Sequence, residues 1–448
     1  MARKGALAPS LGPLHATAMV VGTIIGASIF VQPSEITRQM PSVGGVLLVW
    51  LGAGALTLCG ALTCAELASA FPATGGVYVF LRQAWSPALG FLWGWAMFWS
   101  MHTGIIAALA TVFARYAATL VPLGDLGQRG TAVALIAALS AINYVGVRHG
   151  GRVQILFTGA KLLAIVALCA AGVFLSGRTP PVPPISPVSL APISAGDPVT
   201  ARGFVLALAA GLFAYGGWHM VTYTAGETRE AAKTLPRALV LGTLVVTACY
   251  AGLNAVYLRV LPLAAVRAST RVAADAADAL FGGGGAALFS ALVLVSTLGA
   301  VNGIVLTGPR VYYQMAEDGL LFSWLGTLHP RFQTPHRALV LQAVWASILA
   351  WTASYRTLFT RVIYTEWIFF AFMAAGLFRL RRRPGYRPAW RLWGYPVVPA
   401  LFVLASLVIV VVQVLAEPQS GVVGLGLVLL GLPLYLVWSR KPPVPKEI

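Results

Sequence analysis

Gly22-Thr23-Ile24-Ile25-Gly26-Ala27-Ser28 and Gly211-Leu212-Phe213-Ala214-Tyr215-Gly216-Gly217-Trp218 are glycine clusters set in the middle of two otherwise apolar segments. They head two halves of similar layout. A helix inside a bilayer exposes unpaired backbone only where that backbone lines a buried or wet site. Paired interruptions of this kind are the sequence pointer to a secondary transporter built from inverted repeats. A polar solute is therefore expected to bind where the two meet.

The rest of the chain agrees with a polytopic membrane protein. Of its 448 residues 58% are hydrophobic and 10% charged, against about 25% charged in soluble domains, and the mean hydropathy is +0.81. With ~20 apolar residues needed per crossing, twelve spans fit, near 14–36, 43–69, 88–120, 130–147, 153–176, 203–225, 238–258, 286–313, 338–354, 360–378, 396–416 and 421–438. The Pro- and Ser-rich stretch 177–200 separates the fifth from the sixth and is where two five-span halves would join. The expected organisation is a cytoplasmic N-terminus (1–13), a first five-helix repeat (14–176), a linker (177–202), a second repeat (203–381), and helices eleven and twelve with a cytoplasmic tail (382–448). Residues 259–281 read as partly helical, either a lid over the outer mouth or a plain connector.

Orientation follows from Lys and Arg, which are retained near short cytoplasmic loops. Of the 31, the face holding both termini collects 20 and the opposite face 10, with Lys161 belonging to neither. Both termini are thus expected in the cytoplasm. The net charge of +18 is spread over short loops in no nucleic-acid-binding module. It suits anionic lipid headgroups, with Arg379–Arg383 as a topology anchor. Nucleic acid is not an expected partner.

No P-loop, His-Glu-x-x-His or Cys-x-x-Cys occurs, so ATP-driven transport and zinc catalysis have no visible site, and no cofactor or metal is expected. Neither the clustered interfacial polar residues of a membrane enzyme nor the charge rings of a channel are present. Cys59, Cys64, Cys169 and Cys249 all fall inside spans, where a small apolar role suffices.

Within the apolar spans Lys161 is the most exceptional residue. It follows Arg152 by nine positions, roughly 13 Å into the bilayer at 1.5 Å per residue. A lysine there costs about 2.5–3.5 kcal/mol on insertion scales, so it should face the interior and have partners. The freed carbonyls of the broken first helix and a hydroxyl from another span are the expected acceptors. Glu366 is the second unusual charge, in the tenth span. It either titrates during a cycle, contacts a basic substrate, or bonds to neighbouring helices. Glu66 and Glu227, at span ends, suit ion pairs or helix-end roles.

These residues resemble a family, the amino acid/polyamine/organocation superfamily, and within it bacterial relatives of the L-type amino acid transporters. The resemblance covers nearly the whole chain. Gly22, Ile24, Ile25, Gly26, Ile29 and Phe30 are similar to its first-helix pattern, and Ala65-Glu66-Leu67, Phe71-Pro72 and Gly75-Gly76-Val77-Tyr78 to the segment after its second. Phe213–Trp218, Glu227 and Leu235-Pro236-Arg237 resemble the sixth helix and its loop. Asn302-Gly303, Gly308-Pro309-Arg310 and Ala316-Glu317-Asp318-Gly319 resemble the eighth; Trp367-Ile368-Phe369 and Gly394-Tyr395-Pro396 the tenth and eleventh.

The resemblance implies an all-α, LeuT-like fold of twelve transmembrane helices in a five-plus-five inverted repeat, with helices one and six broken around a mid-membrane substrate. Half-helix N-termini suit a carboxylate and freed carbonyls an ammonium, which is the pair of groups an α-amino acid carries. Thr23, Ile24, Gly26, Ala27 and Ser28 are assigned to the carboxylate side, carbonyls around Phe213, Ala214 and Tyr215 to the amine, and Gly216 and Trp218 to the substrate site with them. Trp218 is either a packing aromatic or a gate over the substrate side chain. By the same resemblance Lys161 takes the place of a sodium ion, with Ser296 as its partner on helix eight. A fixed ammonium there suits exchange, one that gives up its proton suits symport, and both fit. Ile24, Ile105, Phe213, Trp218 and Trp367 are the candidate walls, so neutral L-amino acids lead and a polyamine or organic cation is the alternative. Residues 121–130 lack the cysteine through which eukaryotic relatives join a glycoprotein subunit, so no covalent partner is expected.

Overall fold

The computed structural model describes residues 7, 9–175, 200–282, 284–352 and 355–439. Most of the linker expected at 177–202, and the basic residues of both termini, lie outside them.

The described chain is helical: α1 Pro13–Ile24, α2 Ser28–Gln39, α3 Val43–Ala70, α4 Val77–Ala84, α5 Pro87–Ala96, α6 His102–Ala117, α7 Asp125–Tyr144, α8 Val147–Leu175 and α9 Ala201–Ala214, then α10 Ala231–Val260, α11 Leu263–Ala268, α12 Val272–Phe281, α13 Gly285–Glu317, α14 His336–Thr352, α15 Tyr355–Arg381, α16 Val397–Ala416, α17 Pro418–Leu429 and α18 Gly431–Ser439. A π turn, Met97–Met101, joins α5 to α6, and a 3₁₀ segment, Trp218–Glu227, follows α9. Among the described residues seven helical stretches are long and apolar enough to cross a membrane, counting α5 with α6 and α9 with its 3₁₀ continuation as one each, and eight if α1 and α2 form one span. The expected spans 130–147, 338–354, 360–378 and 421–438 correspond to helices that are shorter or more polar than these.

α1 and α2 meet at a 43° bend. Ile25 leaves helical geometry (ψ 87°), and the Gly26 N–H donates to Ile24 O at 2.8 Å instead of continuing the ladder to Gly22. The Gly22 carbonyl is thereby freed. In the other half α9 stops at Ala214, and Gly217 takes φ +100°, a left-handed conformation that disfavours a side chain. A Cβ on Gly217 would stand 3.2 Å from both Cβ and O of Thr23, so the two interruptions touch. Around them α10 packs on α1, α3 and α8, and α13 on α1, α6 and α8. Residues 259–281 form α11 and α12, which pack on α2, α8, α10 and α13, and Ala273 and Ala276 are buried there.

One end of the bundle is tied by buried ions. Glu227, 1% exposed, accepts from Arg310 Nε at 2.5 Å and Nη2 at 3.0 Å, and Arg310 also donates to Leu306 O. Glu66 accepts from Arg381 at 2.8 and 2.5 Å and from the Leu392 N–H at 2.7 Å. Both glutamates therefore form the ion pairs expected of them. The strand-like segment before α1 docks beside the first pair, with Ser10 N and Leu11 N donating to Glu227 O at 2.8 and 2.9 Å.

Removing one partner of such a pair strands a buried charge, at about 3–5 kcal/mol. Glu227→Gln should lower the thermal unfolding midpoint in detergent by that equivalent, and Glu227→Leu with Arg310→Met should recover most of the loss. A single variant as stable as the parent contradicts the pair's role.

Candidate functional site

Lys161 lies on α8 and is fully buried. Its Nζ donates to Gly22 O at 3.0 Å, Ile25 O at 2.5 Å and Ser296 O at 3.0 Å. An ammonium has three donors, so all are used, two of them on carbonyls that the bend in the first span releases. The contact with Ser296 differs from a hydroxyl acceptor: its main-chain carbonyl binds the lysine, and its hydroxyl donates to Ile25 O at 3.4 Å. The lysine thus ties α1 to α13, and a Cβ on Gly299 would sit 3.1 Å from Nζ.

Lys161 ends a polar stripe of α8 spaced 154, 158, 161, one helical face. Thr158 donates to Ala18 O at 3.1 Å, and Gln154 accepts from Asn302 on α13 at 2.9 Å. Gly22 has no room for a side chain, since its Cβ would meet Gln154 at 2.0 Å and Thr158 at 2.4 Å. Across the site Tyr250 of α10, fully buried, shares its hydroxyl between Ile24 O and Ala214 O, 2.9 Å from each. It joins the two interruptions. Only its position in an apolar span marks it in the sequence.

Between the interruptions lies a cavity of about 20 Å³ lined by Thr23, Ile24, Gly26, Ser28, Ile105, Leu109, Phe213, Gly216, Met220, Ile304 and Glu366. Seven of these were expected at the site from sequence as wall or contact residues, and Glu366 joins them. A space of this size holds about one water; an amino acid requires the walls to part. Ser28, the first residue of α2, lines this cavity, at a helix start whose first N–H groups have no acceptor within the helix, apart from that of Phe30, which donates to Ala27 O at 3.0 Å. Thr23's hydroxyl donates to Met19 O at 2.6 Å, with Gly217 O standing 3.2 Å from the same oxygen as an alternative acceptor. Phe213 O accepts from Gly216 N at 3.0 Å, which leaves a second lone pair.

Other expected residues sit behind this first layer. Ala27 and Ala214 are buried beside it. Tyr215 turns toward α3, donating to Trp50 O at 3.2 Å. Trp218 and Trp367 pack with Phe370 and Phe402, at ring separations of 5.1 to 6.2 Å, and line no part of the cavity.

An interrupted, ion-tied helical bundle with a small central cavity is the architecture of a membrane carrier. The family profile described as amino acid permease matches residues 11–437, and the chain belongs to that family, within the amino acid/polyamine/organocation superfamily. It is 31% identical over 439 residues to the serine/threonine exchanger SteT of Bacillus subtilis, covering 97% of this chain and 98% of that one. It is 31% identical over 453 residues to the human large neutral amino acids transporter small subunit 2 (98% and 82% covered) and 29% identical over 427 to the human b(0,+)-type amino acid transporter 1 (92% and 84%). These relatives are amino acid transporters, not enzymes, and the chain is a multi-pass membrane protein of amino acid transport.

Tyr250→Phe removes the hydroxyl shared by the two interruptions and leaves buried carbonyls under-satisfied, at about 1–3 kcal/mol. The variant should unfold at lower temperature and bind substrate more weakly in a thermal-shift titration. Parental values in both measurements contradict the bridging role.

Proposed function

We propose that this protein moves neutral L-amino acids across the cell membrane by alternating access and without sodium, using twelve spans in a five-plus-five inverted repeat with helices one and six broken. The Lys161 cage carries this reading. A cation bridging the first and eighth spans is supplied covalently, and its three donors are already spent on carbonyls, so a sodium ion has no role left there. Such a fixed charge favours exchange, one amino acid entering as another leaves.

The substrate carboxylate is placed at the N-terminal N–H groups of α2 with Ser28, where the helix dipole favours an anion. Its ammonium faces the carbonyls around Phe213, Ala214 and Tyr215. Its side chain lies against Ile24, Ile105, Leu109, Phe213, Met220 and Ile304, a wall that rewards apolar surface. Similarity to a serine/threonine exchanger and to a large neutral amino acids transporter supports this choice. Both termini are assigned to the cytoplasm by the Lys and Arg distribution, with anionic lipid headgroups at that face and no covalently attached subunit. A second reading, a polyamine or organic-cation carrier, draws on Glu366, the one carboxylate among the residues lining the cavity.

Uptake of labelled serine, threonine, leucine, arginine and putrescine into proteoliposomes separates these. The expected result is uptake of neutral amino acids that requires internal amino acid and is the same in sodium and choline, with Lys161→Ala folded but nearly inactive. Sodium dependence, preference for putrescine, or normal transport by Lys161→Ala contradicts the proposal.

A further inference from the structure

Glu366 is out of place in a cavity walled for neutral side chains. It is 4% exposed, it lines the cavity between the two interruptions, and its Oε1 has no hydrogen-bond partner among the described residues. No other lining residue leaves a fully buried side-chain oxygen or nitrogen in that state. The Thr23 hydroxyl, on the same cavity, already donates to Met19 O at 2.6 Å. Buried polar atoms normally have a partner, and one without it carries a desolvation cost. Glu366 Oε1 is thus an acceptor at the substrate cavity that lacks a donor.

The carboxylate is bordered by a packed aromatic cluster. α15 carries Glu366 and, one turn later, Phe370, whose ring lies 4.8 Å from that of His219. His219 is fully buried, with Trp218 at 5.3 Å, Tyr223 at 5.5 Å and Trp93 at 5.8 Å. Its Nε2 stands 3.5 Å from Glu366 Oε1, longer than an N–H···O hydrogen bond. The histidine therefore flanks the carboxylate without using its acceptor.

Size limits what can supply the missing donor. The cavity, about 20 Å³, holds one water-sized group. Its lining also includes Ser28, at the start of α2, and Phe213 and Gly216 of the second interruption. A donor that reaches Glu366 from an amino acid seated on those groups has to be close to the α-carbon. Serine and threonine carry a hydroxyl on Cβ, and a hydroxyl donates to a carboxylate oxygen. Lysine carries its ammonium at the end of a four-carbon stem, which asks for a deeper recess than this one. Ile105, Leu109 and Ile304 offer aliphatic surface to the threonine methyl.

We propose that Glu366 selects side chains bearing a β-hydroxyl, so that serine and threonine are preferred among neutral amino acids, an inference that rests on the amino acid transport reading. Bound threonine donates its hydroxyl hydrogen to Glu366 Oε1 while its methyl meets the aliphatic wall. Valine has nearly the same shape, but it strips water from the carboxylate and returns no donor. A site built to bond a hydroxyl rejects the analogue that lacks it.

The test uses full-length protein in liposomes preloaded with serine and supplied from outside with labelled threonine, valine, serine, alanine or lysine. Wild type should take up threonine about tenfold or more faster than valine at low concentration, and serine faster than alanine. Glu366→Leu removes the acceptor and should bring threonine and valine level. Glu366→Gln, whose amide oxygen still accepts, should keep threonine ahead. Each ratio is read within one protein, so a change in expression or overall rate does not move it. Equal uptake of threonine and valine by wild type, a parental ratio in Glu366→Leu, or lysine taken up ahead of threonine overturns this inference alone. Failure to exchange any amino acid overturns the transport reading with it. If Glu366→Leu fails to fold, the wild-type ratios decide.

Discussion

An ammonium caged by three main-chain carbonyls holds this architecture together. Breaking a helix at bilayer depth leaves carbonyl oxygens with neither a helical donor nor water, at a cost of several kcal/mol each. Lys161 supplies donors to Gly22 and Ile25 from α8 and reaches Ser296 on α13 with its third. The interruption is tolerated because a charge from another span satisfies it, and the charge is tolerated because the interruption surrounds it with acceptors. Neither feature would be stable alone.

Tyr250 does the corresponding work between the halves. Its hydroxyl lies within 2.9 Å of both Ile24 O and Ala214 O, so movement of either broken segment is felt by the other. The segment before α1 bonds to Glu227 at the far end of the 3₁₀ stretch, where Arg310 also binds. The first span and the second interruption are thus coupled at mid-membrane and again at one end of the bundle. A carrier that parts its walls at one end has to break the second set of ties and keep the first.

Much of this was legible in the residues. The glycine clusters marked both interruptions because glycine in an apolar span has little other use than close approach or unusual backbone, and Gly217 has both. Lys161 stood out because charge is rare at that depth. What stayed hidden depended on partners. Gln154 and Thr158 are ordinary polar residues until α8 turns them onto Gly22, and Tyr250 is one of 14 tyrosines. His102 and His219 are far apart in sequence, and their rings come within 6.5 Å of each other only because α6 meets the 3₁₀ segment. Trp218 takes the packing role, one of its two readings, while Trp367, read as a wall, packs behind the cavity, since composition shows that an aromatic is present and not which face it packs. Helices such as α7 and α14 are shorter or more polar than a lone crossing requires, although each leaves large apolar side chains exposed, Leu126 and Ile142 on α7 and Val340, Val344 and Ile348 on α14.

The most direct measurement is an experimental density map of the purified protein with a bound neutral amino acid in sodium-free buffer. The account predicts the substrate main chain between the ends of α1 and α9 and the starts of their continuations, with the Lys161 ammonium still on Gly22, Ile25 and Ser296. Substrate bound elsewhere, or a lysine turned away from those carbonyls while the helices remain broken, would contradict it.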